Sequence, residues 1–132
     1  MEILKFNTQI CTTVEQSKRL LELGLKPETA ECYNREEEWG YSCWIGKSSL
    51  PTDIPAWSLH RLMEMLPFTI SLAKGDIRYI TILKGSVHYV TFDDDVSREI
   101  TFNQLGTNIY DNIIDCIEWL IKESYFNKEY LK

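Results

Sequence analysis

Six side chains have the types that metal or nucleophilic chemistry uses: Cys11, Cys32, Cys43, Cys116, His60 and His88. A zinc site gathers thiolates and imidazoles at short, regular spacing, because several donors must converge on one small ion. No two of these cysteines form a C-x-x-C pair, so only a fold that drew Cys32, Cys43 and His60 together would build such a site. Nucleophilic catalysis asks for a thiol beside a base that a third group orients. Cys43 with His60 or with His88 is the candidate pair. The plainer reading is four free thiols acting as small hydrophobes, with His60 on the polar side of a helix and His88 alternating in a strand. We adopt it, and with it the expectation of no metal and no cofactor. The run Asp93-Asp94-Asp95 lacks the alternating carboxylates, the glycine and the distal glutamate of a calcium loop, and reads as a solvated turn. Neither a G-x-x-x-x-G-K-[ST] nor a G-x-G-x-x-G run is present to cradle phosphates.

A second group of residues suggests binding rather than chemistry. Tyr33, Trp39, Tyr41, Trp44 and Trp57 are five of the 16 aromatic residues, and Glu36, Glu37 and Glu38 lie among them. Tryptophan and tyrosine anchor protein interfaces because they bury a large area at small entropic cost and keep a polar handle. The plainer reading is that the same residues roof the sheet and helix. If they form an interface, Trp39 and Tyr41 are the expected exposed members, with Tyr33 and Trp44 beside them and the three glutamates as an acidic rim. Fourteen basic against 20 acidic residues give a net charge of −6. That sign opposes nucleic acid or an anionic membrane as the main partner and leaves a protein partner.

These residues must be positioned by an α+β fold of one domain, which 132 residues are enough to build without a staple. Residues 54–67 read as the organising stretch. Ser58 is placed as an N-cap, and Leu59, Leu62, Met63 and Leu66 follow as an apolar stripe. Trp57 stands as the outer half of a hydrophobic staple on Leu62, and Pro67 ends the helix. Upstream, Ile3, Leu4, Phe6 and Ile10 suggest an apolar lead-in that packs on something later. Thr13 and Gln16 make a capping box for a helix over about residues 14–23, closed by Gly24 with Leu25 folding back on Leu20. Pro27 starts a turn, and residues 31–45 form a hairpin with the charged run as its turn or edge.

From residue 68 the pattern changes to period two. Four short runs, 68–72, 77–83, 87–92 and 98–103, are joined by links too short for a parallel crossover, which predicts an antiparallel meander of about four strands. Asn108 caps the strongest helix, about 108–124, with Asp111 at its positive end. The spacing of Ile109, Tyr110, Ile113, Ile114, Ile117, Leu120 and Ile121 gives that helix a wide apolar face. Residues 125–132 read as a frayed or loosely docked tail. The expected fold is therefore a four-stranded meander plus a hairpin, packed with three helices. No run is long and apolar enough for a membrane span and the start has no secretory pattern, so a cytoplasmic location is expected.

The segments Thr13-Val14-Glu15-Gln16-Ser17 through Leu25-Lys26-Pro27-Glu28-Thr29-Ala30, and Ile54-Pro55-Ala56-Trp57-Ser58-Leu59 through Leu66-Pro67, carry a resemblance. Together, at about a quarter of the chain, they resemble small uncharacterised proteins of prophages and other mobile elements in Bacteroides-type gut bacteria. The resemblance implies a genomic setting and supplies no catalytic residues. Two functions remain in view. One is a non-enzymatic interaction module that docks a host or element-encoded protein, or a second copy of itself, through the aromatic and acidic hairpin. A DNA-mimicking inhibitor is a form of it that needs carboxylates spread over one face. The other is a small enzyme using a cysteine and a histidine between the central helix and the sheet.

Overall fold

A computed structural model describes residues 4, 6, 8–72, 75–91 and 100–132, with residues 100 and 101 by their backbone alone. Three helices, α1 (Val14–Glu22), α2 (Leu59–Met65) and α3 (Ile109–Lys122), pack with two antiparallel sheets. The smaller sheet holds β1 (Cys32–Glu37), β2 (Gly40–Ile45) and β3 (Ile54–Ala56) in the order β2-β1-β3. The larger is the expected meander, β4 (Thr69–Ser71), β5 (Ile77–Leu83), β6 (Ser86–Val90) and β7 (Ile100–Leu105), each strand beside its sequence neighbour. The aspartate turn at 93–95 lies outside the described residues.

Local chemistry sets the element ends. In α1 the Thr13 hydroxyl accepts from the Gln16 amide while Gln16 Oε1 accepts from the Thr13 amide, so two donors without helical partners are satisfied reciprocally. Gly24, at φ +103°, makes the left-handed exit, and Leu25 N–H reaches back to the Leu20 carbonyl at 3.2 Å, a Schellman ending. Ser58 caps α2 by accepting from the Arg61 amide, and Leu66 is already extended ahead of Pro67. Asn108 caps α3 by accepting from the Asp111 amide.

One main core forms between α3, α2, α1 and the inner face of the meander. Ile113, Ile114, Cys116, Ile117 and Leu120 of α3 are fully buried there with Leu20, Leu25, Trp57, Leu62, Val87 and Tyr89. Tyr89 and Phe102 meet Trp119 at centroid distances of 6.3 and 5.4 Å, which ties α3 to β6 and β7.

Four expectations need correction. The central helix buries Met65, while Met63 is exposed at 41 %. The buried face is centred on Leu62 and Met65, three residues apart, and that turns Met63 outward. The residues before it, Ile54–Ala56, are a strand paired with β1, so the hairpin is part of a three-stranded sheet. Of the lead-in, Leu4, Phe6 and Ile10 are exposed, Cys11 and Thr12 pack instead, and Ile3 lies outside the described residues. The tail, expected to fray or dock loosely, is tied down. Phe126 is buried, Leu131 bridges Leu25, and Lys26 N–H donates to the Tyr130 carbonyl at 2.8 Å.

Leu62→Ala is expected to lower unfolding free energy by about 2–5 kcal/mol, the cost of emptying a filled core site. Met63→Ala should change it by less than about 0.5 kcal/mol, as for an exposed position. Urea unfolding of the two variants checks this, and equal losses would contradict the placement of that helix.

Candidate functional site: the hairpin and the junction beneath it

The pleat of β1 and β2 divides the seven candidate residues. Paired residues share a face, and the register sets Tyr33 opposite Trp44, Arg35 opposite Ser42 and Glu37 opposite Gly40. Tyr33, Glu37 and Trp44 therefore share the outer face with Arg35, while Glu36 and Tyr41 point to the other side. Glu38 and Trp39 form the two-residue tip. Trp39 is 83 % exposed, and Tyr41 and Trp44 are each 49 % exposed. The three glutamates are thus divided between the two faces and the tip.

The outer face is braced from below. Trp44 Nε1 donates to Ser42 Oγ at 2.8 Å, and that hydroxyl donates to Glu37 Oε1 at 2.7 Å. The Arg35 guanidinium lies 5.0 Å above the Tyr33 ring and donates to both Asp53 oxygens at 3.0 and 2.9 Å. Arg35, the Ser48 hydroxyl and the Leu50 amide hold the Asp53 carboxyl well below the usual carboxylate range. The cation is thus neutralised in place, and the aromatic surface keeps its acidic surroundings.

The inner face meets the N-terminal segment. Cys11 and Cys43 form a disulfide, which corrects the expectation of four free thiols. The bond depends on the bridge of Cys11 to Ser58 and the pairing of β2 with β1, which bring residues 32 positions apart to a Cα separation of 6.5 Å, a proximity that spacing alone does not reveal. Cys32 and Cys116 are free and buried. Burial first, and the neighbouring Glu31 second, push the Cys32 thiol up to about 11, and burial pushes Cys116 up to about 12. Neither is a nucleophile at neutral pH.

The Cys/His pair does not assemble. Cys43 has its sulfur in the disulfide, His60 Nε2 sits 3.2 Å from Glu64, and His88 is held by Ser86 and Asn103 on the exposed face of the meander. The same placements keep Cys32, Cys43 and His60 from converging. Among the described residues no three Cys, His, Asp or Glu side chains come close enough to share a metal ion.

Two clefts flank the small sheet. One, of about 320 Å³, opens beside the disulfide between residues 8–14 and Asn34, Tyr41 and Cys43. The other, about 620 Å³, lies between Pro27, Ala30, Cys32, Lys47, Ser48 and Pro55. Its only sulfur is the protonated Cys32.

Sequence reasoning missed the junction that carries the hairpin. Thr12 N–H donates to the Trp57 carbonyl at 2.8 Å, and Trp57 N–H donates to Thr12 Oγ1 at 3.0 Å. Asn34 Nδ2 donates to the Thr12 carbonyl at 2.9 Å, and Trp57 Nε1 donates to Thr29 Oγ1 at 2.9 Å. Beside it, Glu31 accepts from the Ser58 amide and hydroxyl, each at 2.9 Å, and from Arg61 Nε at 3.2 Å. The polar residues Thr12, Asn34 and Glu31 carried no periodic signal; only their position beside Trp57 gives them a role. No protein-family model, curated protein or solved structure matches the chain.

Burial raises the Glu31 carboxyl, but the bonds from Ser58 and Arg61 outweigh it and hold it below its ordinary 4.5. A depressed folded value gives stability that is present above the ordinary value and lost as pH falls through the depressed one. Glu31→Gln should therefore cost about 1–2 kcal/mol near neutral pH, with the gap to wild type closing as the solution is acidified. Denaturant midpoints across that range check it; a gap independent of pH would contradict the role of the charge.

Proposed function

We propose that this chain is a protein-interaction module that docks through the tip and outer face of its hairpin. The observation that carries the reading is the exposure of the Trp39 indole at the tip and of the Trp44 indole on the outer face, where its N–H is already held by Ser42 and Glu37 behind it. Large aromatic surfaces fixed in advance lose little entropy on binding, and this favours them as anchors. The acidic rim selects the partner's chemistry: a protein segment with lysine or arginine next to apolar side chains, which the indoles can meet by stacking and cation–π contact. A net charge of −6 would steer such a partner toward the module.

The setting we propose is a cytoplasmic protein of a prophage or mobile element, acting on a host or element-encoded partner. Among the described residues no helix is long and apolar enough to cross a membrane. The exposed length of β2 favours one competing use, pairing with a second copy along the strand edge.

Affinity capture from the native host, with partners identified and then titrated individually, tests the reading. Trp39→Ala combined with Glu36→Gln and Glu38→Gln should raise the partner's Kd by about tenfold or more, as loss of an interface anchor does. Phe68→Ala, which removes an exposed ring elsewhere, should leave it unchanged. Retention of every partner by the hairpin variant would overturn the proposal, as would loss of all binding in a strand-edge dimer control.

A further inference from the structure

The disulfide does more than staple. β2 is the outer strand of the small sheet, paired with β1, and four of its six residues are exposed. Besides the backbone that runs on from Ile45 to β3, Cys43 ties it covalently to Cys11. Cys11 belongs to the segment that the Thr12–Trp57 bonds hold against the core, so the disulfide joins a weakly packed strand to a well-anchored one. Cys11 and Cys43 both line the 320 Å³ cleft, Cys43 as the half-buried partner and Cys11 as the more covered one at 4 % exposure, so a small thiol in the cleft meets Cys43 first.

We propose that Cys11–Cys43 is a thiol-exchange site for a small-molecule thiol, and that its opening releases β2 and the hairpin tip while the main core stays folded. The thiolate enters by the cleft and attacks Cys43 Sγ. A mixed disulfide forms at Cys43, the Cys11–Cys43 bond breaks, and Cys11 leaves as a thiolate that takes a proton from water. A second thiolate attacks the mixed disulfide, releasing the oxidised small molecule and Cys43 thiolate. The two electrons come from the two small thiols.

The covered side is fitted to the reduced state. Asn34 spends its amide N–H on the Thr12 carbonyl, and its Oδ1 lies 3.8 Å from Cys11 Sγ. That sulfur has no hydrogen while bonded to Cys43 and gains one on reduction, so an acceptor is waiting for it. Cys32 and Cys116 are too buried and too fully protonated to compete for the exchange. Release of the hairpin by this exchange requires no docking partner.

The test uses the whole chain, oxidised, treated with reduced glutathione under native conditions. Peptide mapping should find the mixed disulfide at Cys43. In the Cys11→Ser variant, oxidised glutathione should modify Cys43 and spare Cys32 and Cys116. Hydrogen exchange should show the amides of residues 40–45 speeding by about tenfold or more on reduction, with those of residues 113–120 unchanged. Adducts at Cys11, or a bond that resists glutathione until the protein unfolds, would overturn the exchange site. Equal acceleration throughout, or none anywhere, would overturn the local release. A Cys11→Ser/Cys43→Ser variant that stays folded should match the reduced protein's pattern; if it matches the oxidised one, the disulfide does not control the hairpin.

Discussion

The exchange of bonds between Thr12 and Trp57 is the constraint from which the rest of the molecule is hung. Trp57 is fully buried, so its backbone groups and its indole N–H must all find partners inside the protein. Thr29 takes the indole N–H, and the backbone groups are met by one further threonine, Thr12. Its amide and hydroxyl serve the Trp57 backbone, its carbonyl takes the Asn34 amide, and its hydroxyl also meets Ser17 at 2.7 Å. That places the N-terminal segment, α1, β1 and the entry to α2 in fixed relation. Glu31, reaching across to Ser58 and Arg61, locks the same corner by charge.

What the protein presents to solvent follows from that corner. The core side of the small sheet is used up in the junction, so β1 and β2 can turn their aromatic residues outward without leaving buried polar atoms unsatisfied. The cysteines and histidines are kept apart by the same arrangement: two thiols are buried and protonated, two are joined, and both histidines stand on exposed faces with carboxylate, hydroxyl or amide partners.

Much of the fold could be read from the chain because its signals are local. The Thr13–Gln16 capping box, the Gly24 exit and the Asn108 cap each act within a few residues and sit where the pattern put them, and the four period-two runs overlap β4 to β7. The misses are all long-range. Ile54–Ala56 is too short to alternate visibly and becomes a strand only because β1 is beside it. Met63 and Met65 are equivalent in type, and which is buried depends on how α2 is rolled against α3. The disulfide depends on two strands converging, and the tail is held by partners around residues 24–26. Of the candidate site, Trp39 and Tyr41 are the members the sequence marks for exposure if the aromatic cluster is a surface, and both are exposed. Its division between two faces needed the register.

The most direct measurement of the central claim is native-state hydrogen exchange at the Thr12 and Trp57 amides as a function of denaturant. If the junction holds the fold together, both amides should exchange only through global unfolding, in the same slow class as the amides of Ile113, Ile117 and Leu120. Exchange of Thr12 or Trp57 through local fluctuations, independent of denaturant while α3 remains protected, would show that the molecule stands without it.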